Sequence, residues 1–121
     1  MKETILNWVN ICVKKDDEIL LLNRQHDNFK GWIQPGGKVE FPESFFEAAR
    51  RELKEETGLT ALNLELKGIS GFTNQSKKER YVYYDFLCTA FEGQVRGNGH
   101  EGEPKWWKIS ELGQIDMQDD I

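Results

Sequence analysis

The sequence predicts a single α+β domain in which a mixed β-sheet carries one principal helix. Three observations predict it. Alternating apolar stretches occur on both sides of the chain's middle, apolar residues recur every four positions between Phe45 and Leu53, and the order runs strands, helix, strands, short helix. With 121 residues there is room for one core. A domain of this plan usually closes with one more helix, so residues beyond Ile121 are expected to be missing from the sequence.

The first strand is read from Trp8, Asn10 and Cys12 alternating with Val9, Ile11 and Val13, a pattern that covers both faces in part. Lys15 to Glu18 is a polar hairpin turn, and Ile19 to Asn23 returns as the second strand, ending at Arg24. From Gln25 to Gly37 the pattern breaks into a loop, with Trp32 and Ile33 tucked toward the core. A helix is predicted over residues 44–57, with Pro42 near its first turn and Gly58 just past its end. Its buried stripe is Phe45, Ala49 and Leu53, widened by Phe46 and Ala48. Leu62 to Phe72 alternates as a strand before a polar turn at Thr73 to Lys78. Arg80 to Phe91, rich in Tyr, Val and Phe, is the plainest strand of the chain. A Gly-rich connection leads to a short strand at Trp106 to Ile109 and a short helix opening at Ser110.

Composition excludes several classes. Apolar residues are 38% and charged residues 31%, as in a soluble globular protein. No apolar run approaches the roughly 20 residues of a membrane span, and no secretory leader is evident, so a cytoplasmic address is expected. Cys12 and Cys88 sit in apolar strands and read as reduced core thiols, without zinc or disulfide spacing. The net charge of −5 gives no general attraction for a nucleic acid polymer. A small polyanion bound through a divalent metal remains compatible, because the metal inverts the local sign.

The chemistry concentrates in Gly37 to Leu59. Glu52, Glu55 and Glu56 fall on neighbouring parts of one helix surface, in its last turns, where the helix dipole disfavours anions. Such repulsion costs a few tenths of a kcal/mol in water, roughly, and more when buried. A solvated helix face neutralised by Arg50 and Lys54 is one explanation. A hard divalent ion, Mg²⁺ or Mn²⁺, is the other, since it prefers carboxylate oxygens. Arg51, with Glu43, Glu47 and Glu55 near it, reads as an ion-paired brace, and the Gly36-Gly37 backbone is close enough in sequence to reach a ligand or metal.

Gly37, Glu43, Arg51-Glu52-Leu53, Glu55-Glu56 and Gly58-Leu59 together match, without departure, the signature box of the Nudix hydrolases, which the chain resembles over nearly its whole length. The resemblance implies a Nudix α/β/α sandwich with a mixed β-sheet. It implies Mg²⁺- or Mn²⁺-dependent hydrolysis of a nucleoside diphosphate linked to another moiety. Glu52, Glu55 and Glu56 match the family's metal-binding carboxylates, with the Gly37 carbonyl as a further ligand. Glu43 and Arg51 match its bracing pair. A later-loop Glu that adds a ligand or acts as base is best matched by Glu101, with Glu103 as rival.

The expected reaction is in-line attack of a metal-polarised water on a phosphoanhydride. Glu55 and Glu101 compete as the general base, Glu52 and Glu56 go first to metal, and Arg24 or Lys38 would hold a phosphate. The Pro35 to Lys38 loop resembles that of the bacterial oxidised-purine nucleoside triphosphate diphosphatases, making 8-oxo-dGTP the first substrate candidate. Asp119 and Asp120 in "DMQDD" loosely resemble the base-reading acidic pair of such enzymes, though the Trp accompanying that pair in animal members is absent. Among Trp8, Phe29, Trp32, Phe72, Tyr81, Tyr83 and Trp106, one or two are expected to form a purine slot. ADP-ribose, sugar nucleotides and dinucleoside polyphosphates remain alternatives, as does a nucleotide-binding sensor that does not cleave. The sequence carries no signal for oligomeric state.

Overall fold

The computed structural model describes residues 2–26, 29–97 and 102–114. Strand β1, Thr4–Lys15, is the spine of the sheet. Through the Asp16-Asp17 turn it hands over to β2, Glu18–His26, pairing with it only at Lys14↔Ile19 and Lys15↔Glu18. Beyond that hairpin the two strands part. β2 is flanked by β3, Phe29–Ile33, and by β9, Glu103–Lys108. β1 is flanked by the short β4, Gly36–Lys38, and by β7, Glu79–Cys88, which runs parallel to it. β6, Glu65–Asn74, closes that arm antiparallel to β7, with an irregularity between Leu66 and Gly68. The expected mixed sheet is thus observed. A separate two-stranded ladder joins β5, Thr60–Ala61, to β8, Phe91–Glu92.

Helix α1, Phe45–Thr57, packs on one face of the β1 arm. It is the α-helix of the described residues, and a 3₁₀ turn at Ile109–Gln114 follows β9. Its start is not set by Pro42, which lies in the preceding turn. Ser44 is the N-cap: its hydroxyl accepts the Glu47 amide at 3.1 Å, and the Glu47 carboxylate accepts the Ser44 amide at 2.7 Å. Gly58 ends it in the left-handed conformation, φ 82°, with its amide donating to the Lys54 carbonyl.

Ala48, Ala49 and Leu53 bury fully against Val9, Ile11 and Val13 of β1. Phe45 and Phe46, expected in that stripe, are partly exposed. They lie over the sheet instead, Phe45 stacked on Tyr84 and Phe46 edge-on to Phe86. The stretch read as a loop from Gln25 to Gly37 is largely strand. Glycines and a proline interrupt its apolar pattern, but the ladders to β2 and β1 supply the backbone partners that pattern cannot reveal. Both cysteines are free, and burial pushes their thiols above the ordinary value. Among the described residues no helix is long and apolar enough to cross a membrane.

Candidate active site

The site is built where the end of α1 meets β4. The buried Pro35 aligns β4, its carbonyl accepting the Ile11 amide at 2.9 Å. Antiparallel pairing then sets Gly36 against Asn10, Gly37 against Val9 and Lys38 against Trp8. Partners across a ladder share a face. Gly37 therefore faces α1, while Gly36 and Lys38 belong to the opposite face with Asn10 and Trp8.

Glu52 and Glu56 stand one turn apart on the side of α1 that meets β4. Glu56 is 3% exposed, and its Oε1 accepts the Gly36 amide at 2.8 Å. The Glu52 carboxylate lies where a Gly37 side chain would begin, so a Cβ there would collide with it. On its other side a Gly36 Cβ would strike the Val9 carbonyl and the Asn10 side chain. Both glycines are thus demanded by close approach, one on each face. Of the Gly36-Gly37 backbone groups, the Gly36 amide is engaged by Glu56.

Arg51 holds the surroundings together. Its guanidinium donates twice to Glu43, at 2.7 and 3.0 Å, once to Glu52 at 2.7 Å, once to Glu55 at 3.3 Å, and to the Lys38 carbonyl at 3.0 Å. Glu40 approaches at 3.6 Å. Hydrogen bonding to Glu43, then to Glu52, raises the Arg51 pKa further and keeps it charged. The expected brace is present with one correction: Glu47 caps the helix and takes no part. Lys54 is not spent on the acidic cluster either; it reaches the Gly58 carbonyl and the Thr60 hydroxyl at the helix end.

Glu55 is the open member of the cluster, its side chain 57% exposed. Lys38 is exposed on the far face of β4. Arg24 stands on β2 opposite Gly31 of β3, and Glu103 opens β9 opposite Asn23, its carboxylate against Gly97. Glu101, Asp119 and Asp120 lie outside the described residues. Among those described, no three acidic, His or Cys side chains converge on one point. The donors at hand nevertheless suit a hard divalent ion: two carboxylates one turn apart beside a strand stripped of side chains.

Sequence reasoning missed the polar residues on the sheet face opposite α1. Asn10 donates to Asp85 Oδ1 at 3.3 Å, and the Ser70 hydroxyl donates to Asp85 Oδ2 at 3.4 Å. The available signal was a single charged residue within the apolar run from Tyr81 to Cys88. Of the aromatic residues named as a possible slot, Trp8, Tyr83, Tyr81 and Phe72 share this face. Trp8 stacks with Tyr83 at 6.2 Å, and Phe72 with Tyr81 at 4.7 Å and with Tyr83 at 6.0 Å. Trp32 and Trp106 pack elsewhere, against Trp107 and Phe91.

Comparison with known proteins bears on this arrangement. The chain is 30% identical to the uncharacterized Nudix hydrolase YvcI of Bacillus subtilis, over 94% of this chain and 73% of that one. It is 30% identical to the ADP-ribose pyrophosphatase of Methanocaldococcus jannaschii, over 88% of this chain and 64% of that one. It is 35% identical to the oxidized purine nucleoside triphosphate hydrolase of Danio rerio, over 67% of this chain and 51% of that one. The crystal structure of the MutT protein from Bacillus halodurans superposes with a TM-score of 0.79 at 32% identity, covering 95% of this chain and 76% of that one. The NUDIX domain model matches residues 6–120. The match takes in the helix, the whole Gly37 to Leu59 stretch and all the strands but the first two residues of β1, and divalent-metal dependence is general to the domain it identifies: the chain belongs to the NUDIX domain family, the Nudix hydrolases, and is a phosphoanhydride hydrolase of that type.

Proposed function

We propose that the chain hydrolyses a nucleoside triphosphate to the monophosphate and pyrophosphate with Mg²⁺ or Mn²⁺, and that 8-oxo-dGTP is its first substrate candidate. The observation that carries the reading is the pair Glu52 and Glu56 set against Gly36 and Gly37, a stretch of backbone kept bare by close contact on both faces. Glu52, Glu55 and Glu56, with the Gly37 carbonyl and Glu101, are the residues that would hold the ion. When bound, the ion neutralises phosphate oxygens and acidifies a water.

The chain's own residues do the rest. The Gly36 amide fixes one oxygen of Glu56, so that carboxylate is placed before any ligand arrives. Arg51 positions Glu52 and joins α1 to the Lys38 carbonyl. Glu55, the solvent-open carboxylate, takes the proton of the attacking water, with Glu101 as the competing candidate. Lys38 and Arg24 hold phosphate oxygens, and Asp119 or Asp120 accepts from the base.

The fish relative, named for oxidized purine nucleoside triphosphates, supports the substrate choice. The archaeal relative, named an ADP-ribose pyrophosphatase, supports ADP-ribose as a second reading. A panel of 8-oxo-dGTP, dGTP, ATP, ADP-ribose and a dinucleoside tetraphosphate, incubated with Mg²⁺ and resolved by mass, separates them. Monophosphate plus intact pyrophosphate from 8-oxo-dGTP, ahead of dGTP, is the expected result. AMP plus ribose phosphate from ADP-ribose alone would discard the triphosphate claim. Glu56→Gln is expected to lose turnover by about 10²-fold or more with the fold intact; unchanged turnover would remove the metal assignment.

A further inference from the structure

We propose that the chain forms a two-fold dimer in which the β6 strand of each copy lies in the step between β6 and α1 of the other. The inference stands apart from the choice of substrate.

The step follows from the ladder. β6 ends the strand order beyond β7. Leu66 is set opposite Phe86, and Ile69 opposite Tyr84. Ladder partners share a face, and Phe45 and Phe46 of α1 lie on Tyr84 and Phe86 from that side. The helix therefore covers β1, reaches over β7 and stops short of β6. Leu66 and Ile69 are left 44% and 62% exposed as a floor, and Phe46, 50% exposed, belongs to the wall beside it. Gly71, opposite Val82, adds no side chain to that floor. A helix is about 10 Å across, which sets the height of the step.

The occupant that fits is a second copy. Two sheets pack face to face about 10 Å apart, the same distance as the step height. A copy turned about a two-fold axis can thus lay its β6 on this β6 and its strand edge against Phe45 and Phe46. The same rotation seats this β6 in the other copy's step, so the contact closes on itself. The area suffices. Ile5, Phe45, Phe46, Leu66 and Ile69 share the face and leave about 500 Å² of apolar surface uncovered. A standard interface of roughly 800 Å² per partner is about 60% apolar, which is the same amount.

Charge permits self-contact. From Gly68 to Asn74 the edge strand carries neither a charge nor a proline, the devices that keep edges apart. At its borders Lys67 pairs with Glu65 at 3.1 Å and Arg80 with Glu3 at 3.2 Å, so no like charges need meet across the axis. The chain's own residues 115–121 suit the floor less well. They follow the 3₁₀ turn beside β9, at the other end of the strand order, and would bring three aspartates to an apolar surface.

Sedimentation velocity on the full chain tests this, with amide exchange of β6 followed at the same concentrations. The parent is expected to pass from 14.1 kDa to twice that mass with a midpoint in the micromolar range, its β6 amides slowing as the dimer forms. Ile69→Glu puts a carboxylate on both floors and is expected to raise the dissociation constant about 100-fold or more. Its melting temperature at low concentration and its turnover should match the parent, since Ile69 is exposed within one copy and Glu52 and Glu56 stand on the β4 side of α1. Phe72→Ser, on the other face of the same strand, should leave the dimer intact. A parent that stays at 14.1 kDa overturns the proposal. Exchange then names the reason: β6 protected at every concentration is covered by the chain's own residues, and β6 unprotected is left for a different protein. A dimer that survives Ile69→Glu, one that Phe72→Ser disrupts equally, or a mass that climbs past two copies overturns it as well, by placing the contact on another surface.

Discussion

The Arg51 guanidinium and the Glu43 carboxylate meet through two parallel hydrogen bonds, 2.7 and 3.0 Å long, between residues eight apart in sequence. The pair ties the turn before α1 to the helix's second turn. It leaves the remaining Arg51 donors for Glu52, Glu55 and the Lys38 carbonyl, so one side chain contacts two of the three cluster carboxylates and β4.

Replacing Arg51 by Lys keeps the charge and loses the fork. A single ammonium cannot serve Glu43, Glu52 and the Lys38 carbonyl in one geometry. The expected cost is about 1–2 kcal/mol, at the low end for charge-assisted hydrogen bonds because the group is a quarter exposed. Turnover should fall further than stability, since Glu52 loses its tether. Urea titration and steady-state kinetics of Arg51→Lys read the two effects, and a variant equal to the parent in both would deny the brace its role.

Acid should weaken the same contact. Hydrogen bonding to Arg51 holds the Glu43 carboxyl below its ordinary value. A carboxylate depressed in the folded state contributes its full stabilisation above the unfolded value, roughly 4.3. That contribution is lost as pH falls through the folded value. Glu43→Gln should therefore be less stable than the parent at pH 7, with the gap closing as the pH drops below about 4. Denaturation series from pH 7 to 3 on both proteins would show it; a gap independent of pH would mean that Glu43 acts by shape alone.

The carboxylate site was legible because its logic is local. Box spacing and helix periodicity together place Glu52 and Glu56 on one surface, and Gly58 marks where the helix stops. The helix was expected from residue 44, within one residue of its observed start, but with Pro42 as the start signal where Ser44, with Glu47 three residues on, is the cap. What the sequence could not supply was long-range pairing. That Gly36 to Lys38 forms a strand against β1, and that Asn10, Asp85 and Ser70 meet, depends on register between segments up to 75 residues apart. The exposure of Phe45 and Phe46 has a similar cause: a helical stripe tells which side faces the sheet, not how far the sheet extends beneath it.

Gly37→Ala adds one methyl group, and it would enter the space held by the Glu52 carboxylate. The flexible end of Glu52 can yield where backbone could not, so the fold is expected to survive. The displaced carboxylate would leave Arg51 and its place beside Glu56. A drop in kcat of about tenfold or more is expected, with a melting temperature within a few degrees of the parent. Gly36→Ala makes the contrast, because its methyl meets the Val9 carbonyl, which cannot move without breaking β4 from β1. That variant should lose stability first. Equal behaviour of the two would mean that the two faces of β4 are not separate in the way the contacts indicate.

Divalent metal should stabilise the protein as well as activate it. Glu52 and Glu56 sit one turn apart near the helix C-terminus, where like charge and the helix dipole both disfavour them, and Arg51 offsets the charge of Glu52 more directly than that of Glu56. An ion that binds only the folded cluster adds RT ln(1 + [L]/Kd), about 1.4 kcal/mol at ten times its Kd. For a chain of this size that is a rise in Tm of about 4 °C. The double variant Glu52→Gln, Glu56→Gln should show no such rise, and a chelator should return the parent to its metal-free melting point. If millimolar Mg²⁺ and Mn²⁺ leave the parent's Tm unmoved, or raise that of the double variant as much, the ion is held elsewhere. The bare Gly36-Gly37 strand would then owe its form to packing against Glu52, Val9 and Asn10 alone.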